Sequence, residues 1–255
     1  MADTQAVRLL NITKKFSVSE DEYTDKERIK DGAFFALDDI SFTLEKGGCT
    51  MICGANGSGK SLLMSIIAGL EELSSGSVST SSRVGLIFQE PDNQILGETA
   101  REDIAFGPAN LGLAKETVQS RTIAALAETG LTAIADFPAR SLSGGEKRRL
   151  AVAGVLAMDA EIIIFDEPYA NMDYHGVVQI NSLVKKILAE NKTIIILTHE
   201  VEKCLALANR FIVLFKGRKV YDGSAQDALL LDLESWGIHN PLGKPVNKYE
   251  DMLWQ

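Results

Sequence analysis

Cysteine is scarce in this chain, and its few cysteines are not spaced like metal ligands. The 255 residues include three, Cys49, Cys53 and Cys204, which is an odd number without a paired spacing. Cys49 and Cys53 lie in an apolar run that is typical of a buried strand. We therefore expect reduced thiols in the protein core.

Long hydrophobic runs are also missing. No uninterrupted apolar stretch approaches the roughly 18 residues that a bilayer-spanning helix needs, and one of the longest, residues 150–158, includes a glycine. The first residues, MADTQAVRLLN, lack the basic region and the apolar core of an export signal. These absences predict a protein that does not cross a membrane and stays inside the cell.

Positive charge is in deficit. Lysine and arginine total 26 against 35 for aspartate and glutamate, and the net charge of −9 has the wrong sign for a protein that coats nucleic acid. We expect no nucleic-acid partner, although a local basic patch stays compatible with this charge. Apolar residues make up 45% and charged residues 24%, as in folded globular proteins, so we expect one large domain or one domain with a subdomain.

Apolar runs of strand length recur between helical patterns, at 49–53, 84–88, 161–165, 193–197 and 211–215. Their hydrophobicity is continuous rather than alternating, which favours strands buried on both faces of a mostly parallel sheet. After the first run and a glycine-rich turn, the spacing of an amphipathic helix is followed by Leu63, Ile66, Ile67 and Leu70. The sequence therefore predicts an α/β fold.

Three other segments complete the predicted organisation. Residues 99–130 contain helix-forming sequence without a strong strand signal, which indicates an inserted helical subdomain. Residues 17–33 are rich in charge and lie between two strand-like segments, so they indicate a solvated hairpin tip. Residues 216–223 predict a tight turn and a last short strand, followed by a helix near 225–233 and a polar tail.

The strongest motif is GANGSGKS, which fits the phosphate-binding pattern G-x-x-x-x-G-K-[ST] between a predicted strand and a predicted helix. Glycines let consecutive N–H groups face an anion, and the helix start adds its positive end. Lys60 would reach the β and γ phosphates of a nucleotide, and the Ser61 hydroxyl would ligate Mg²⁺. The alternative is a chance glycine-rich turn. The predicted loop residues are Gly54, Ala55, Asn56, Gly57, Ser58, Gly59, Lys60 and Ser61.

The second motif is a buried strand that ends in two adjacent carboxylates, Asp166 and Glu167. Asp166 is placed to hold Mg²⁺ directly or through water, while Glu167 can orient and polarise the water that attacks the γ-phosphate. The alternative is an acid pair at a helix N-terminus in a surface loop. The phosphate-binding pattern in the same chain disfavours that alternative.

A third motif, Leu142-Ser143-Gly144-Gly145-Glu146, stands just before a helical run. Read alone it favours a helix N-cap, and its hydroxyl and N–H groups are donors that suit a phosphate. With the two motifs above it, it resembles the signature of the ATP-binding cassette (ABC) family, and the resemblance covers nearly the whole chain. In that family the signature covers the γ-phosphate held by a second subunit. The resemblance implies ATP and Mg²⁺ as ligands, a head-to-tail dimer, and ATP hydrolysis.

The resemblance extends to further positions in the same order. Gln89 matches the Q-loop glutamine, which contacts the metal and couples the helical subdomain to the nucleotide. Residues 170–173, ending at Asp173, match the loop that crosses the dimer interface. His199 matches the switch histidine that touches the γ-phosphate, although a lone histidine after a strand is otherwise a capping or core residue.

Near the N-terminus, Phe16 matches the aromatic residue that stacks on adenine in the family. The acidic insertion at 17–33 is longer than usual there, so Phe34, Phe35 or a purely core role compete with this assignment. Leu62 stands where many cassettes have a second hydroxyl near the α-phosphate, and its backbone N–H can serve in that place.

Residues 88–96 and 102–113 resemble the ATPase subunits of energy-coupling factor importers for vitamins or transition metal ions. The resemblance implies a peripheral location on the cytoplasmic face of the membrane, a transmembrane T component, a membrane substrate-binding component, and a partner ATPase that is a second copy or a paralogue. Exposed Ile95, Leu96 and Phe106 would line the docking groove, with ordinary subdomain packing as the alternative. The alternative class is a soluble cassette ATPase that acts on ribosomes or nucleic acid without a membrane partner.

The implied fold is a P-loop NTPase of the ABC nucleotide-binding type. It has a mostly parallel core sheet, an N-terminal antiparallel β subdomain and an inserted α-helical subdomain. The expected boundaries are an ATPase domain over 1–233, the helical subdomain at about 92–158, and a short extension over 234–255.

Overall fold

The computed structural model describes residues 4–17 and 25–242, which form two β-sheets and several helices. The strands are β1 (Gln5–Ser17), β2 (Ile29–Lys30), β3 (Ala33–Glu45), β4 (Cys49–Cys53), β5 (Ser75–Thr80), β6 (Val84–Ile87), β7 (Ile162–Asp166), β8 (Thr193–Leu197), β9 (Arg210–Phe215) and β10 (Arg218–Ser224). The α-helices are α1 (Lys60–Ile67), α2 (Ala100–Asn110), α3 (Lys115–Glu128), α4 (Gly144–Ala157) and α5 (Tyr174–Ala189).

The larger sheet is parallel except at one edge. Its strand order is β10-β9-β4-β8-β7-β6, and only β10 pairs antiparallel with its neighbour. Alternate residues of each strand face two different cores: Ile163 and Phe165 belong to one cluster, and Ile162 and Ile164 belong to the other. The apolar runs are therefore confirmed as strands of a sheet that is buried on both faces.

The smaller sheet is antiparallel, with the order β2-β3-β1-β5. Leu9 and Ile12 of β1 share an apolar cluster with Ile52 of β4 and Ile195 of β8, so the two sheets pack together. This arrangement confirms the expected antiparallel β subdomain. It also places β3 beside the loop that follows β4, because Gly59 contacts Leu37.

The acidic insertion connects the paired strands β1 and β3, as predicted for a hairpin tip, since Ser17 pairs with Ala33. Residues 18–24 lie outside the described residues. The remainder folds back onto β3, since Lys26–Arg28 form a 3₁₀ turn and Ile29 and Lys30 pair with Phe34 and Ala33. Local charge predicted solvation, but backbone pairing and the contacts of Arg28 hold this part of the insertion against the fold.

Helices α2, α3 and α4 build a third apolar cluster in the chain segment between β6 and β7. Helix α2 starts with a capping box, in which Thr99 accepts from the Glu102 N–H and the Glu102 carboxylate accepts from the Thr99 N–H. The expected inserted helical subdomain is thus confirmed. Within the described ranges, none of the helices is long and apolar enough to span a bilayer.

Two helix predictions were wrong in detail. Helix α1 ends at Ile67, and Gly69 follows with φ +74°, so Leu70 lies beyond the helix and is 62% exposed. In place of the helix predicted near 225–233 there are two 3₁₀ turns, Asp227–Leu230 and Leu233–Trp236. The prediction of reduced core thiols is confirmed, because all three cysteines are free and buried.

Candidate active site

A cleft of about 640 Å³ lies at the edge of the larger sheet where the parallel strands end. In open parallel sheets this edge is the usual place for a ligand. Predicted site residues that line the cleft come from the loop after β4 and from the ends of β6, β7 and β8. They are Asn56, Gly57, Ser58, Gly59, Lys60, Ser61, Leu62, Gln89, Glu167 and His199.

The loop after β4 has a backbone that only glycine accommodates at two points. Gly54 has φ +154°, and a Cβ there would lie 2.2 Å from the carbonyl oxygen of Leu214. Gly59 has φ +101°, and a Cβ there would lie 2.6 Å from Leu37. Both positions therefore require glycine so that the chain can turn tightly into α1, which begins at Lys60.

Lys60 is held inside the loop that it belongs to. Its Nζ donates to the carbonyl oxygens of Gly54, at 2.7 Å, and Ala55, at 3.2 Å, and the residue is only 6% exposed. Burial lowers the pKa of the Lys60 ammonium, while the nearby Glu167 carboxylate acts in the opposite direction. An ammonium in this position is a desolvated cation that an anion over the loop would stabilise.

Ser61 and Asp166 come together although they are far apart in the chain. The Ser61 hydroxyl donates to Asp166 Oδ1 at 3.2 Å, and burial raises the pKa of the Asp166 carboxyl, with the Ser61 hydrogen bond opposing the rise. No cluster of three or more His, Cys, Asp or Glu suited to a metal occurs within the described ranges. One carboxylate and one hydroxyl fit Mg²⁺, which is bound through few protein oxygens together with substrate phosphates.

Glu167 and His199 form the second pair at the cleft. Glu167 Oε1 lies 3.0 Å from His199 Nδ1, and its buried Oε2 has no hydrogen-bond partner among the described residues. Glu167 is 7% exposed and has φ +44°, a left-handed conformation that is uncommon outside glycine. Its backbone is fixed on both sides, because its N–H donates to Leu197 and its carbonyl accepts from Arg148.

Arg148 is a buried residue that the sequence analysis missed. It lies in α4 and donates to the carbonyl oxygens of Glu167, at 3.0 Å, and Gln89, at 2.9 Å. Burial lowers the pKa of this guanidinium. Arg148 thereby connects α4, the helix that begins within the signature, to the two segments that carry Gln89 and Glu167. Its position in an otherwise apolar helix face was the only available signal.

The far end of the cleft is lined by Phe34 and not by Phe16, the residue that the sequence analysis matched to the adenine-stacking position. Phe16 does not line the cleft and is 39% exposed, whereas its partner across β1 and β3, Phe34, is 9% exposed and does line it. Two residues of the acidic insertion, Asp25 and Arg28, line the same end. Sequence reasoning missed both, because it interpreted their charge as solvation.

The signature lies outside this chain's own cleft. Ser143 caps α4 in a capping box with Glu146, and none of Ser143, Gly144 and Gly145 lines the cleft. A Cβ at Gly144 would meet nothing within 4 Å, so packing within this chain does not require glycine there. Asp173 is also outside the cleft, where it is exposed and caps α5 by accepting from the Gly176 N–H at 2.8 Å.

Comparison with known proteins identifies several relatives of this chain. The energy-coupling factor transporter ATP-binding protein EcfA2 of Methanospirillum hungatei is 37% identical over 208 residues, which are 76% of this chain and 52% of that protein. The chain thus spans about half the length of that relative. The cobalt import ATP-binding protein CbiO of Rhodobacter capsulatus is 37% identical over 229 residues, 83% of this chain and 81% of that protein.

Among solved structures, cbiO1 of Clostridium perfringens, described as part of the ABC transporter complex cbiONQ, superposes with a TM-score of 0.76. It is 28% identical, and the match covers 91% of this chain and 93% of that one. Residues 37–170, which contain the phosphate-binding loop, the carboxylate pair and the signature, match the ABC transporter family. The chain belongs to the ABC transporter family and is one of its ATPases.

Proposed function

We propose that this chain is the ATP-hydrolysing subunit of an energy-coupling factor importer for a vitamin or a transition metal ion. The observation that carries the proposal is the cleft, which holds Lys60, the Ser61–Asp166 pair and the Glu167–His199 pair side by side. The importer class is supported by relatives whose names describe energy-coupling factor and cobalt import ATP-binding proteins.

The residues of the cleft have distinct roles in this proposal. Lys60 and the N–H groups of the loop hold the β and γ phosphates, and Ser61, Asp166 and Gln89 hold Mg²⁺, which when bound neutralises charge on those phosphates. The free Oε2 of Glu167 accepts a hydrogen bond from the attacking water and orients it. His199 fixes the Glu167 carboxylate through Oε1 and presents its ring toward the γ-phosphate.

A second cassette subunit, either another copy of this chain or a paralogue, completes the site. The donors of Ser143, Gly144 and Gly145 lie outside their own cleft, and the space around Gly144 is open. In a symmetric two-fold arrangement each signature covers the partner's nucleotide, so two Mg-ATP lie at the interface. ATP bridges both halves and ADP does not do so equally, so hydrolysis changes which dimer state is favoured.

The membrane partner docks beside α2 in this proposal. Leu96 is 66% exposed and Phe106 is 46% exposed. Leu96 is held close to α2, because its N–H donates to the side chain of Asp103, which lies one helical turn before Phe106. These two side chains present apolar surface for a transmembrane T component at the cytoplasmic face of the membrane. Ile95 does not belong to this surface, since it is 7% exposed and packs in the third cluster. A separate membrane-embedded component would select the solute.

Co-purification tests the proposed function. The tagged chain is expressed with candidate T and substrate-binding components, and the T component bound per chain is measured. Leu96→Asp and Phe106→Asp should each lower it about tenfold or more, because a charge replaces a buried apolar anchor of the interface. ATP hydrolysis by the isolated chain should not change.

Leu230→Asp is the matched control, because Leu230 is 84% exposed and far along the chain from α2. It should leave T-component binding unchanged. The proposal fails if the wild-type chain captures no membrane subunit and instead retains ribosomes or nucleic acid.

A further inference from the structure

Arg28 is unusual among the charged residues of the acidic insertion because three backbone carbonyls fix its guanidinium. Nε donates to Phe35 at 3.0 Å, one terminal nitrogen donates to Ala36 at 2.6 Å, and the other donates to Gly57 at 3.0 Å. These donors lie in the plane of the guanidinium. The bonds therefore fix the plane and leave its two faces without hydrogen bonds.

This guanidinium lies over the ring of Phe34. Arg28 Cζ lies 4.5 Å from the centroid of the Phe34 ring, and both residues line the cleft. The surroundings leave little room for movement, since a Cβ at Gly217 would lie 2.9 Å from a terminal nitrogen of Arg28. Gly217 lies in the turn between β9 and β10 and has φ +78°, so both its backbone conformation and the nearby guanidinium favour glycine there.

The location of Arg28 along the cleft identifies the part of the ligand that it meets. Gln89, Glu167 and His199 follow β6, β7 and β8 on one side of the phosphate loop, while Arg28 and Phe34 approach from the smaller sheet on the other side. A triphosphate whose γ-phosphate lies at Glu167 therefore directs its nucleoside toward Arg28.

We propose that Arg28, supported by Phe34, is the platform on which the nucleotide base stacks. The base lies on the guanidinium face opposite the ring, which gives a Phe34–guanidinium–base stack. Planar guanidinium groups stack on bases, and they are weakly hydrated, so little solvation is lost when the face is covered. The inference rests on the proposed function, because it takes the phosphate loop as the triphosphate site.

The experiment compares two ligands that differ only in the nucleoside. Dissociation constants of Mg-ADP and of magnesium pyrophosphate are measured by titration calorimetry for the purified full-length chain. Arg28→Ala and Arg28→Lys should each weaken Mg-ADP about tenfold and leave pyrophosphate within about twofold. Lysine retains the charge and loses the plane, so it does not rescue a stacking platform.

Two phenylalanine variants provide a second measurement that does not change Arg28. Phe34→Leu removes the support of the guanidinium and should weaken Mg-ADP by about threefold. Phe16→Leu is its matched control, since Phe16 is the partner of Phe34 across the strands and lies outside the cleft. It should leave Mg-ADP binding unchanged.

Three outcomes overturn the inference. Arg28→Lys with wild-type affinity for Mg-ADP would show that charge alone matters. If Arg28→Ala loses affinity equally for Mg-ADP and for magnesium pyrophosphate, Arg28 supports phosphate binding by the loop and does not contact the base. If Phe16→Leu weakens Mg-ADP binding and the Arg28 variants do not, the base stacks on Phe16.

Lys60→Ala separates this inference from the proposed function. If Lys60→Ala loses both ligands and the Arg28 variants lose neither, the base platform is wrong and the phosphate site stands. If Lys60→Ala binds both ligands like the wild type, the phosphate site itself is wrong, and the proposed function fails with it.

Discussion

The two ends of the cleft are built in different ways. At the phosphate end, burial lowers the pKa of Lys60 and raises the pKa of Asp166. Glu167 there has a left-handed backbone and a buried oxygen that none of the described residues hydrogen-bonds. At the other end, the in-plane donors of Arg28 bond to three carbonyls and its guanidinium lies over the ring of Phe34.

The difference shows where the ligand is needed. Charged groups at the phosphate end are desolvated without full compensation, so the magnesium triphosphate of the proposed function would supply the opposite charges that they lack. The other end is a satisfied, preformed surface that gains only a stacking contact. Substitutions at the phosphate end should therefore change ATP hydrolysis or raise stability, whereas substitutions at the other end should weaken nucleotide binding without affecting the chemical step.

The largest expected effect is on catalysis, from Glu167→Gln. Its amide cannot act as the base that orients the attacking water, so kcat for ATP hydrolysis in the assembled transporter should fall about 100-fold or more. The dissociation constant for Mg-ATP should stay within about threefold of the wild-type value, because the phosphate contacts are intact.

Glu202→Gln is the control for this variant, because Glu202 is exposed and lies three residues after His199. Wild-type turnover is expected for it. If Glu167→Gln hydrolyses ATP at the wild-type rate, Glu167 does not act in hydrolysis, and the proposed difference between the two ends of the cleft is wrong.

The sequence predicted which residues meet at the phosphate end, because short-range patterns define them. The loop residues are contiguous, and Asp166 and Glu167 end a continuous apolar run, so the strand positions determine where they meet. Arg28 could not be found in this way. Its role depends on the insertion folding back onto β3, and it contacts Gly57, which lies 29 residues away in the chain.

The errors in the fold have the same physical origin. Leu70 continued a helical spacing, but the chain turns at Gly69 before reaching it. Ile95 belonged to a segment assigned to an exposed groove, yet tertiary packing with α2, α3 and α4 buries it. Local sequence pattern predicted where each element lies. Long-range packing determines where it ends and which of the residues near its ends are buried.

The smallest expected effect is on stability, from Asp166→Asn. The folded state raises the pKa of Asp166 above its ordinary value, so the charged carboxylate costs stability at pH values above that ordinary range. Without nucleotide, the amide should raise Tm by about 2–4 °C at pH 7 to 8 while hydrolysis falls. The gain should vanish as the pH drops below the ordinary pKa of aspartate.

Thermal melts over a pH series measure this effect, with exposed Asp232→Asn as the control that should not shift Tm. A lower Tm for Asp166→Asn at neutral pH would mean that hydrogen bonds and charges at the phosphate end fully offset the desolvation of the Asp166 carboxylate. Arg28→Ala should lower Tm, in contrast to Asp166→Asn, because the substitution leaves three backbone carbonyls without their hydrogen-bond donor.

Mixing two inactive variants tests whether the signature of one copy completes the cleft of another. Lys60→Ala disables the loop, and Gly144→Arg blocks the signature at a position where this chain's own packing leaves space. Each variant alone should be inactive. A mixed dimer contains one intact site, so an equimolar mixture should recover up to about a quarter of wild-type ATPase activity, as two-fold pairing requires. No recovery at any mixing ratio would show that the signature of a second copy does not complete the cleft.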